Sequence, residues 1–591
     1  MTTNKDVRTG RLSKEEIVKN FADAHPPLNS GNAIVEANRC YFCYDAPCID
    51  ACPTRIDIPN FIRKISTGNL KGSANDILSQ NIMGGMCARV CPTESLCEGA
   101  CVRYVGENQP VRIGDLQRYS TDWFFETGES LFERGERTNK RIAVVGGGPA
   151  GLSSGIISSN NGIETYLFDE HSSPGGQIYR SANNHNNIKT KIFDKDYFLG
   201  NNLIDEFKKS KCNYINNSSV WYISKDCEIG VIIKNKNYVY KAQRIILATG
   251  TIERSIPYKG WTLPGVMLAG SGQILLKSSG TIPSESPVLI GIGPLLLLLA
   301  CQFARAGIKP KAILDMTPYH SYLKALPYLP NALIKSYEIW KGIEILNELK
   351  KNKVPIIRNV KNIELEGNNK LDKIVYWKNN KKNNIKSKIA FMHFGVIPNI
   401  IISQSVSIQH KWNQEQLCWQ PISDEWGNTN QEKFQICGDN TKVIGVEASK
   451  IHGKIVAFNI LKKFKIISKE ERDSLTFKLR KSYKNIIQGR KFIDVLFKPR
   501  KDFVNFNNNL TVCRCENVKV NDIKKAIKNG AFGPNQIKLF TRIGMGNCQG
   551  RQCSNSLTII LSKILNKKEN DIGVLRARPP LKFVTLKNLS E

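Results

Sequence analysis

Residues 141–151 read RIAVVGGGPAG, and this stretch decides the fold. A short β-branched run leads through a glycine-rich turn into a segment of helical character that begins at Pro149 and Ala150. The turn has the spacing G-x-G-x-x-G, with glycines at Gly146, Gly148 and Gly151. In this order they permit a tight turn, close approach of a pyrophosphate to the backbone, and close packing of helix on strand. The free amides at the helix N-terminus suit phosphate oxygens. The stretch therefore predicts a dinucleotide-binding α/β domain.

The sequence downstream adds features that suit FAD. A second strand ends in Asp169-Glu170, 23 and 24 residues after Gly146, and one of these carboxylates is expected to accept a hydrogen bond from the ribose 2′-OH. Three later turns are expected to border the cofactor. Flexible backbone at Gly176-Gln177 would lie beside the isoalloxazine ring, and a carboxylate at the last turn can hold the ribityl or pyrophosphate region. The other turn residues are Thr249, Gly250, Gly438 and Asp439. Together these motifs resemble the FAD domain of two-dinucleotide flavoproteins.

A second nucleotide motif lies between these turns. Gly291 and Gly293 follow a buried strand, but Leu296 replaces the third glycine, so looser packing of helix on strand is expected. Asp315 ends the next strand, 24 residues after Gly291, and no arginine follows within five residues. An acid there suits a free ribose 2′-OH better than a 2′-phosphate. The sequence leaves open whether NAD(H), another adenine nucleotide or no nucleotide binds here.

Seventeen cysteines occur in a chain whose first residues contain no apolar signal-peptide run, and this favours metal over disulfides. Eight of them are crowded between positions 40 and 101, namely Cys40, Cys43, Cys48, Cys52, Cys87, Cys91, Cys97 and Cys101. Structural zinc is the alternative, but zinc prefers two well-separated pairs. Crowded thiolates, with Pro53 and Pro92 each following a cysteine, are typical of iron–sulfur clusters.

Four more cysteines form a quartet near the C-terminus, beyond a basic, linker-like stretch at 478–501. They are Cys513, Cys515, Cys548 and Cys553. Two close pairs of thiolates suit one 2Fe–2S cluster, and they also describe a zinc site, which stays open on spacing alone. The remaining cysteines, Cys212, Cys227, Cys301, Cys418 and Cys437, are isolated and lack the C-x-x-C of thiol–disulfide reductases, so that class is excluded.

The N-terminal cysteines carry a family resemblance. The string RCYFCYDAPCIDACPTRIDIPNFI (39–62), with MCARVCPTESLCEGAC and IGDLQRY after it, resembles the two-cluster helical domain of glutamate synthase small subunits and dihydropyrimidine dehydrogenases. The resemblance implies one 4Fe–4S cluster on Cys40, Cys43, Cys48 and Cys101. It implies a second cluster on Cys52, Cys91 and Cys97. The fourth ligand of the second cluster is Gln117, which matches the pyrimidine dehydrogenases, or Cys87, which is chemically the better ligand.

The chain from about residue 141 onward carries a second resemblance. DEHSSPGGQIYR, GIGPLLLLLACQFARAGI and WQPISDEWGNT resemble the flavoprotein α subunit of opine oxidases, proline/hydroxyproline dehydrogenases and hydrogen cyanide synthase. VCRCENV and TRIGMGNCQGRQC resemble the 2Fe–2S domain of bacterioferritin-associated ferredoxins. The resemblance implies an electron-transfer subunit whose partner, a flavin amine-oxidase-type β subunit, oxidises an amine or amino acid. The alternative is an NAD(P)H-dependent reductase, which the glutamate-synthase-like cluster domain favours.

The predicted fold class is α/β, with Rossmann-like FAD and NAD domains between two iron–sulfur domains. The predicted boundaries are 1–135 for the helical double 4Fe–4S domain, 136–270 and 391–470 for the FAD domain, 271–390 for the second nucleotide domain, and 471–591 for a linker and a small helical 2Fe–2S domain. The organic substrate is not readable, and no side chain stands out as a catalytic acid or base.

Composition excludes two classes of partner. The net charge is +33, from 85 Lys and Arg against 52 Asp and Glu, yet the basic residues are dispersed and do not interleave with aromatics, so no nucleic acid is expected. The most apolar stretch, 288–304, is short for a membrane span of about 20 residues. It predicts a buried strand that turns into a buried helix. We therefore expect a soluble, cytoplasmic protein.

Overall fold

The structure is a computed structural model that describes residues 12–23, 25–129, 131, 140–182, 187–333, 336–500 and 507–590. The chain divides into two units, Met1–Arg137 with Thr585–Glu591, and Thr138–Val584. The predicted boundary between residues 135 and 136 lies outside the described residues. The other predicted boundaries stay predictions.

The first unit is helical throughout its described residues. Its chain begins with α1 (Lys14–Asn20), α2 (Ser30–Ala37), α3 (Pro47–Ala51), α4 (Ile58–Ser66), α5 (Leu70–Gln80), α6 (Gly84–Val90), α7 (Val102–Glu107) and α8 (Ile113–Thr127), with a 3₁₀ turn at Thr93–Ser95, and the unit also holds a short helix at Leu586–Ser590. The side chain of Asp57 caps α4 by accepting from the amide of Asn60 at 3.2 Å, which satisfies one of the free amides of the first turn. Phe61 and Leu116 lie in the core of this unit, and the half-buried cysteines at 40, 48, 52, 97 and 101 pack against that core.

The second unit is α/β. Its strands are β1 (Arg141–Val145), β2 (Glu164–Phe168), β3 (Asn213–Ile215), β4 (Ser218–Ile223), β5 (Glu228–Ile233), β6 (Lys236–Lys241), β7 (Arg244–Leu247), β8 (Thr251–Glu253), β9 (Val266–Leu268), β10 (Val288–Gly291), β11 (Ala312–Asp315), β12 (Ile356–Ile357), β13 (Asn362–Glu366), β14 (Lys373–Lys378), β15 (Lys381–Lys386), β16 (Ala390–His393), β17 (Val396–Pro398), β18 (His410–Asn413), β19 (Cys418–Pro421), β20 (Phe434–Ile436), β21 (Thr511–Cys513) and β22 (Val518–Lys519). Its helices are α9 (Pro149–Asn160), α10 (Asn187–Ile192), α11 (Lys195–Phe198), α12 (Gly200–Lys209), α13 (Ala269–Ser279), α14 (Pro294–Arg305), α15 (Tyr319–Ala325), α16 (Leu329–Leu333), α17 (Ser336–Lys351), α18 (Ile401–Ser405), α19 (Val446–Lys463), α20 (Lys469–Leu496), α21 (Val520–Lys528), α22 (Pro534–Thr541), α23 (Ser554–Leu565) and α24 (Glu569–Ile572).

Two parallel five-stranded sheets organise this unit, with the orders β20-β7-β1-β2-β3 and β12-β11-β10-β16-β9. In the first sheet β1 pairs in parallel with β2 and β7, and in the second β10 pairs in parallel with β11 and β16. The strands at the centre of each sheet are almost wholly buried and rich in Ile, Leu and Val, as expected where helices cover both faces. The predicted α/β fold class, with a helical N-terminal part, is confirmed.

The first sheet is interrupted by the second. The antiparallel ribbon of β8 and β17 stands where the chain leaves the first sheet and returns to it, with Ile252 opposite Ile397. The apolar stretch at 288–304 forms β10 and α14, as the sequence predicted. Leu296, which replaces the third glycine, is 1 % exposed in the main core, and the looser packing of helix on strand stays a prediction.

The predicted linker at 478–501 is mostly helix. It falls largely within α20, a 28-residue helix that begins where the side chain of Ser468 accepts from the amide of Glu471 at 3.0 Å. Helix α20 packs against α16 and α19, and this packing stabilises the helix although few of its residues are apolar. Beyond it, β21, β22 and α21–α24 enclose a separate small core. No helix among the described residues is long and apolar enough to cross a bilayer.

Candidate flavin and iron–sulfur sites

The glycine turn after β1 opens on a cleft of about 290 Å³. A Cβ at Gly148 would meet nothing within 4 Å, whereas one at Gly151 would stand 1.9 Å from the carbonyl oxygen of Gly146. One glycine therefore leaves room beside the N-terminus of α9, and the other permits close packing of that helix on its strand. A long anionic group can reach the amides of α9 through this opening.

Most of the predicted flavin residues line this cleft, from the turn after β1 to Asp439. The exceptions are Gly151, which packs on Gly146, and Gly438, where a Cβ would stand 2.6 Å from the side chain of Ala150. The cleft also includes Asn399, whose Oδ1 is buried and has no hydrogen-bond partner among the described residues. A buried acceptor without a partner is costly, so this atom fits a donor brought by a bound cofactor.

The two acids after β2 have different surroundings. Asp169 is 5 % exposed, and its carboxylate accepts from the amide of His171 and from the hydroxyl of Tyr214 at 3.2 and 3.1 Å. Burial raises the pKa of Asp169. Glu170 instead forms a short ion pair with Lys582. Burial alone would raise the pKa of Glu170, but Lys582 and other nearby cations outweigh it, so that pKa is lowered.

Asp439 is held in place by the start of α19. Its Oδ1 accepts from the amides of Ile444 and Gly445 at 2.7 and 2.8 Å and from the hydroxyl of Ser449 at 3.2 Å. Three donors on one oxygen fix the orientation of the carboxylate. The side chain is therefore set at the cleft wall before any ligand arrives.

The second nucleotide motif lies at a separate pocket of about 320 Å³. Gly293 and the start of α14 line it together with Arg254, His393 and Arg490. Asp315 does not line this pocket. Its Oδ1 accepts from the amide of Thr317 at 2.9 Å.

Two arginines approach Asp315 from distant parts of the chain. Burial raises the pKa of Asp315, while Arg358 and Arg500 act in the opposite direction. Arg500 donates to the carbonyl of Met316 at 3.1 Å and to Asn359 at 3.0 Å. Both arginines lie outside the five residues that follow Asp315, so the local sequence does not reveal these guanidinium groups.

In the first unit, the thiols predicted for one cluster surround one small pocket. Cys40, Cys43, Cys48 and Cys101 line it with apolar residues of α4 and of the segment before α8. Burial raises the pKa of Cys40, and the thiols of Cys101 and Cys43 raise it further. Burial also raises the pKa of Cys48 to about 12, with added contributions from Cys40 and Cys101. The four thiols are therefore close enough to interact.

The remaining cysteines of this unit form a second group. Burial raises the pKa of Cys91 to about 11, with further contributions from Cys87 and Cys52. Burial raises the pKa of Cys97 to about 12, with contributions from Glu98 and Cys52. Cys87 accepts from the side-chain amide of Asn81 at 3.1 Å.

Gln117 is buried on α8. Its Nε2 donates to the carbonyl of Gly84 at 2.7 Å, so the amide plane is fixed and its Oε1 is the atom left for a metal.

In the C-terminal quartet the pKa of Cys513 is lowered, whereas burial and neighbouring thiols raise the pKa values of Cys548 and Cys553. A hydrogen bond from Cys553 lowers the pKa of Cys513 to about 6 despite burial, and the amides of Gly544, Glu516 and Cys515 add to the effect. Cys548 and Cys515 interact as a second pair. Amides directed at a thiolate favour metal binding because the thiolate is the ligand form. In the parts of the chain that the structure describes, no group of three or more Cys, His, Asp or Glu side chains already has metal-binding geometry.

Several residues that line the flavin cleft were not predicted from sequence. Asn399 follows a buried strand in the run GVIPN (395–399), and a strand-ending Pro-Asn turn was a usable signal. Arg551, Leu581 and Lys582 also line the cleft, although they lie some four hundred residues beyond the glycine motif in sequence. Nothing in the local sequence indicates such a contact.

Three family models match the chain in succession. The dihydropyrimidine dehydrogenase domain II, 4Fe-4S cluster model matches residues 17–129, the pyridine nucleotide-disulphide oxidoreductase model matches residues 140–454, and the BFD-like [2Fe-2S] binding domain model matches residues 511–563. The A subunit of opine oxidase from Agrobacterium tumefaciens (strain Ach5) is 32 % identical over 459 residues, which cover 76 % of this chain and 91 % of that protein. The chain belongs to the family of opine oxidase A subunits. Like other members of this family, it is an oxidoreductase subunit, and it combines flavin-type and iron–sulfur domains.

Other relatives agree with this membership. Hydrogen cyanide synthase subunit HcnB of Pseudomonas aeruginosa is 28 % identical over 484 residues, which cover 76 % of this chain and 99 % of that protein. The NAD-dependent dihydropyrimidine dehydrogenase subunit PreT of Escherichia coli (strain K12) is 43 % identical over 153 residues, 26 % of this chain and 37 % of that protein. The crystal structure of L-proline dehydrogenase from P. horikoshii shares the fold, with a TM-score of 0.56 at 19 % identity over 78 % of this chain and 82 % of that chain. The chain is thus similar to the opine oxidase and hydrogen cyanide synthase subunits over most of its length, and to a dihydropyrimidine dehydrogenase subunit over a shorter part.

Proposed function

We propose that this family member is the electron-transfer subunit of a heteromeric amine or amino-acid dehydrogenase. Its partner would be a flavin amine-oxidase-type β subunit that binds the amine and carries out its oxidation. The name of the relative, the A subunit of an opine oxidase, and the match over 91 % of that protein support a partner subunit. The structural observation that carries the proposal is that the flavin cleft and the candidate 2Fe–2S site share a residue. Arg551 lines the flavin cleft and belongs to the loop between Cys548 and Cys553.

The cleft residues would hold FAD in one orientation. The amides of α9 beside Gly148 would bind the pyrophosphate. Asp169 would accept from the adenosine ribose, since Glu170 is engaged with Lys582. Asp439, with Oδ1 already held by α19, would offer Oδ2 to a ribityl hydroxyl. When bound, FAD exchanges two electrons and each iron–sulfur cluster exchanges one, so together they link two-electron and one-electron chemistry.

The thiol groups support two 4Fe–4S clusters and one 2Fe–2S cluster. Cys40, Cys43, Cys48 and Cys101 would hold the first, and Cys52, Cys91 and Cys97 would hold the second together with Gln117 or Cys87. The C-terminal quartet would hold the 2Fe–2S cluster, since the lowered pKa of Cys513 suits a thiolate ligand. Each ligand set fits iron by its donor chemistry, which is wholly or almost wholly thiolate.

A second candidate function is reduction by NAD(P)H. It is favoured by the pocket at Gly293 and by the identity to a subunit named as NAD-dependent. Asp315 does not line the pocket itself, so it would hold the adenosine ribose only of a nucleotide that extends beyond the pocket to the end of β11. Arg358 and Arg500 act on that carboxylate and would also tolerate a 2′-phosphate, so a preference for NADH over NADPH is no longer expected to be strong.

The two candidates differ in what reduces the flavin. Purified chain is mixed without oxygen with NADH, NADPH or a panel of amino acids, and flavin bleaching is followed in the visible spectrum. We expect no rapid bleaching by amino acids until a co-expressed flavin partner is added. Bleaching by an amino acid without a partner would contradict the subunit proposal. Bleaching by NADH or NADPH with turnover onto an artificial acceptor would favour the reductase.

A further inference from the structure

The C-terminal part of the chain forms one wall of the flavin cleft. Arg551, Leu581 and Lys582 line the cleft together with the glycine turn and the two acids after β2. We call residues 577–582, which follow the four cluster cysteines in sequence, the closing segment. A two-dinucleotide core alone therefore does not complete this cleft.

Arg551 ties the cluster loop to the closing segment. Its guanidinium donates to the carbonyl of Cys548 at 3.3 Å and to the carbonyl of Leu581 at 3.0 Å. The first contact lies within the loop that carries two of the four cluster thiols. The second holds the main chain that covers the cleft. One side chain thus fixes both the cluster loop and the cleft wall.

The closing segment is anchored on the flavin side as well. The amide of Leu581 donates to the carbonyl of Trp221 at 2.7 Å, and the Leu581 side chain is 1 % exposed in the core beneath the first sheet. Lys582 forms its ion pair with Glu170. Arg551 also acts on Glu170, because it is among the cations that favour the charged form of that carboxylate. Asp169 and Glu170 mark the adenosine end of a dinucleotide site, so the cations lie at that end.

We propose that Arg551 is an FAD-positioning residue at the adenosine end of the cofactor, and that an ordered 2Fe–2S loop and bound FAD stabilise each other through it. The inference rests on the proposed function, since it requires both cofactors. A cysteine-rich loop becomes ordered when its cluster binds, and the ordered loop holds Arg551 in the cleft and against the main chain of Leu581. By linkage, whatever the cluster adds to FAD affinity, FAD adds to cluster retention.

The adenosine end also predicts a difference between flavins. FAD carries the adenosine half that Arg551 would contact, whereas FMN does not. A guanidinium group can pair with a phosphate or stack on an aromatic base, and both are specific to FAD at this end. Arg551 therefore contributes to a preference for FAD over FMN.

The test compares Arg551→Ala with Arg542→Ala, a matched control in the same domain whose exposed guanidinium pairs with Glu516 at 3.0 Å. FAD and FMN are titrated into flavin-stripped full-length protein, and quenching of flavin fluorescence gives both affinities. Iron, sulfide and the EPR spectrum report the clusters independently. We expect Arg551→Ala to weaken FAD at least tenfold, to leave FMN within about twofold, and to keep its clusters. Arg542→Ala should match wild type. Equal FAD affinity in wild type and Arg551→Ala would overturn the proposal.

A second variant tests the coupling. Cys548→Ser removes one cluster thiol without touching the cleft lining, and it should lower FAD affinity as Arg551→Ala does. FAD affinity equal to that of wild type in a Cys548→Ser protein that has lost its 2Fe–2S signal would overturn the coupling. Failure of the proposed function would look different, because wild-type protein itself would then lack FAD or the 2Fe–2S cluster.

Discussion

Gly148 and Gly151, three residues apart, differ in the space around them. At Gly148 a methyl group would meet nothing within 4 Å, while at Gly151 it would meet a backbone oxygen at 1.9 Å. Gly148→Ala should therefore leave the thermal midpoint of the flavin-free protein unchanged but obstruct the pyrophosphate and lower flavin content. Gly151→Ala should destabilise the fold by about 1–3 kcal/mol, as overpacking does.

Gly342→Ala is the control for these variants, because Gly342 lies in helix α17 with open space around its Cα. This change should leave flavin content and the midpoint as in wild type, or raise the midpoint slightly. A Gly148→Ala protein that retains a full complement of flavin would show that the opening beside α9 is not where the cofactor enters.

The fourth ligand of the second 4Fe–4S cluster can be decided at two residues. Gln117 has its Nε2 fixed on Gly84, which leaves Oε1 for iron, and Cys87 is already hydrogen-bonded by Asn81. We expect Cys87→Ser to keep all clusters and Gln117→Ala to change the EPR signal of one. The reverse pattern would assign the ligand to Cys87.

Sequence motifs identify residues whose roles depend on neighbours in the chain, and they miss those that depend on the fold. The glycine turn and the acid 23 residues later belong to one local strand–turn–helix–strand unit, so their spacing was readable. Arg358 and Arg500 reach Asp315 only through tertiary packing. The same holds for Arg551 and Lys582 at the flavin cleft. A rule limited to the few residues after Asp315 could not foresee them.

At the scale of elements, a buried lysine on helix α13 holds that helix against the turn at Gln177 and Ile178. Lys277 is 6 % exposed and donates to the carbonyls of Gln177 and Ile178 at 3.1 and 2.9 Å. Burial lowers its pKa to about 7, with Arg180 adding to the effect. This joins α13 of the second nucleotide domain to a turn that lines the flavin cleft.

The lowered pKa predicts a pH dependence of stability. An unfolded lysine titrates near 10.4, so between about pH 7 and pH 10 the unfolded state binds more protons than the native state. The free energy of unfolding should therefore gain a contribution that rises with pH across this window. Denaturant midpoints of wild type and Lys277→Met should differ by an amount that changes with pH. Lys478→Met, at an exposed position on α20, should follow wild type at every pH. A constant difference between wild type and Lys277→Met would contradict the prediction.

Some helices and strands could be predicted from the sequence and others could not, and the difference has physical causes. Strand β10 and helix α14 were readable because a buried apolar run of that length leaves few alternatives. The basic and polar composition of helix α20 is instead typical of a linker. Its stability depends on the Ser468 cap and on packing against α16 and α19, and neither is visible in composition.

At the scale of the whole molecule, the ligand sets predict the metal content. Two 4Fe–4S clusters and one 2Fe–2S cluster require about ten irons per chain. Protein purified without oxygen should contain that amount of iron with matching sulfide. Zinc at the C-terminal quartet would lower iron to about eight and would remove the 2Fe–2S signal.

The overall architecture was largely predictable, because the cysteine arrays and the glycine motifs are local signatures that occur in separate parts of the chain. What the sequence could not give is how the 2Fe–2S domain meets the flavin cleft. That arrangement rests on a few contacts between distant residues, such as Leu581 with Trp221.

The closing segment has a consequence for how the protein is made. Glu170 and Lys582 are separated by 412 positions, so a ribosome completes the glycine turn long before it reaches the residues that cover it. Domains fold in the order in which they are synthesised, and the first sheet can form while its cleft is still open at one end. Stable flavin incorporation therefore belongs to a late stage of biogenesis, after the 2Fe–2S domain has emerged. Nascent chains that stop short of residue 551 would fold around a cleft that releases its cofactor.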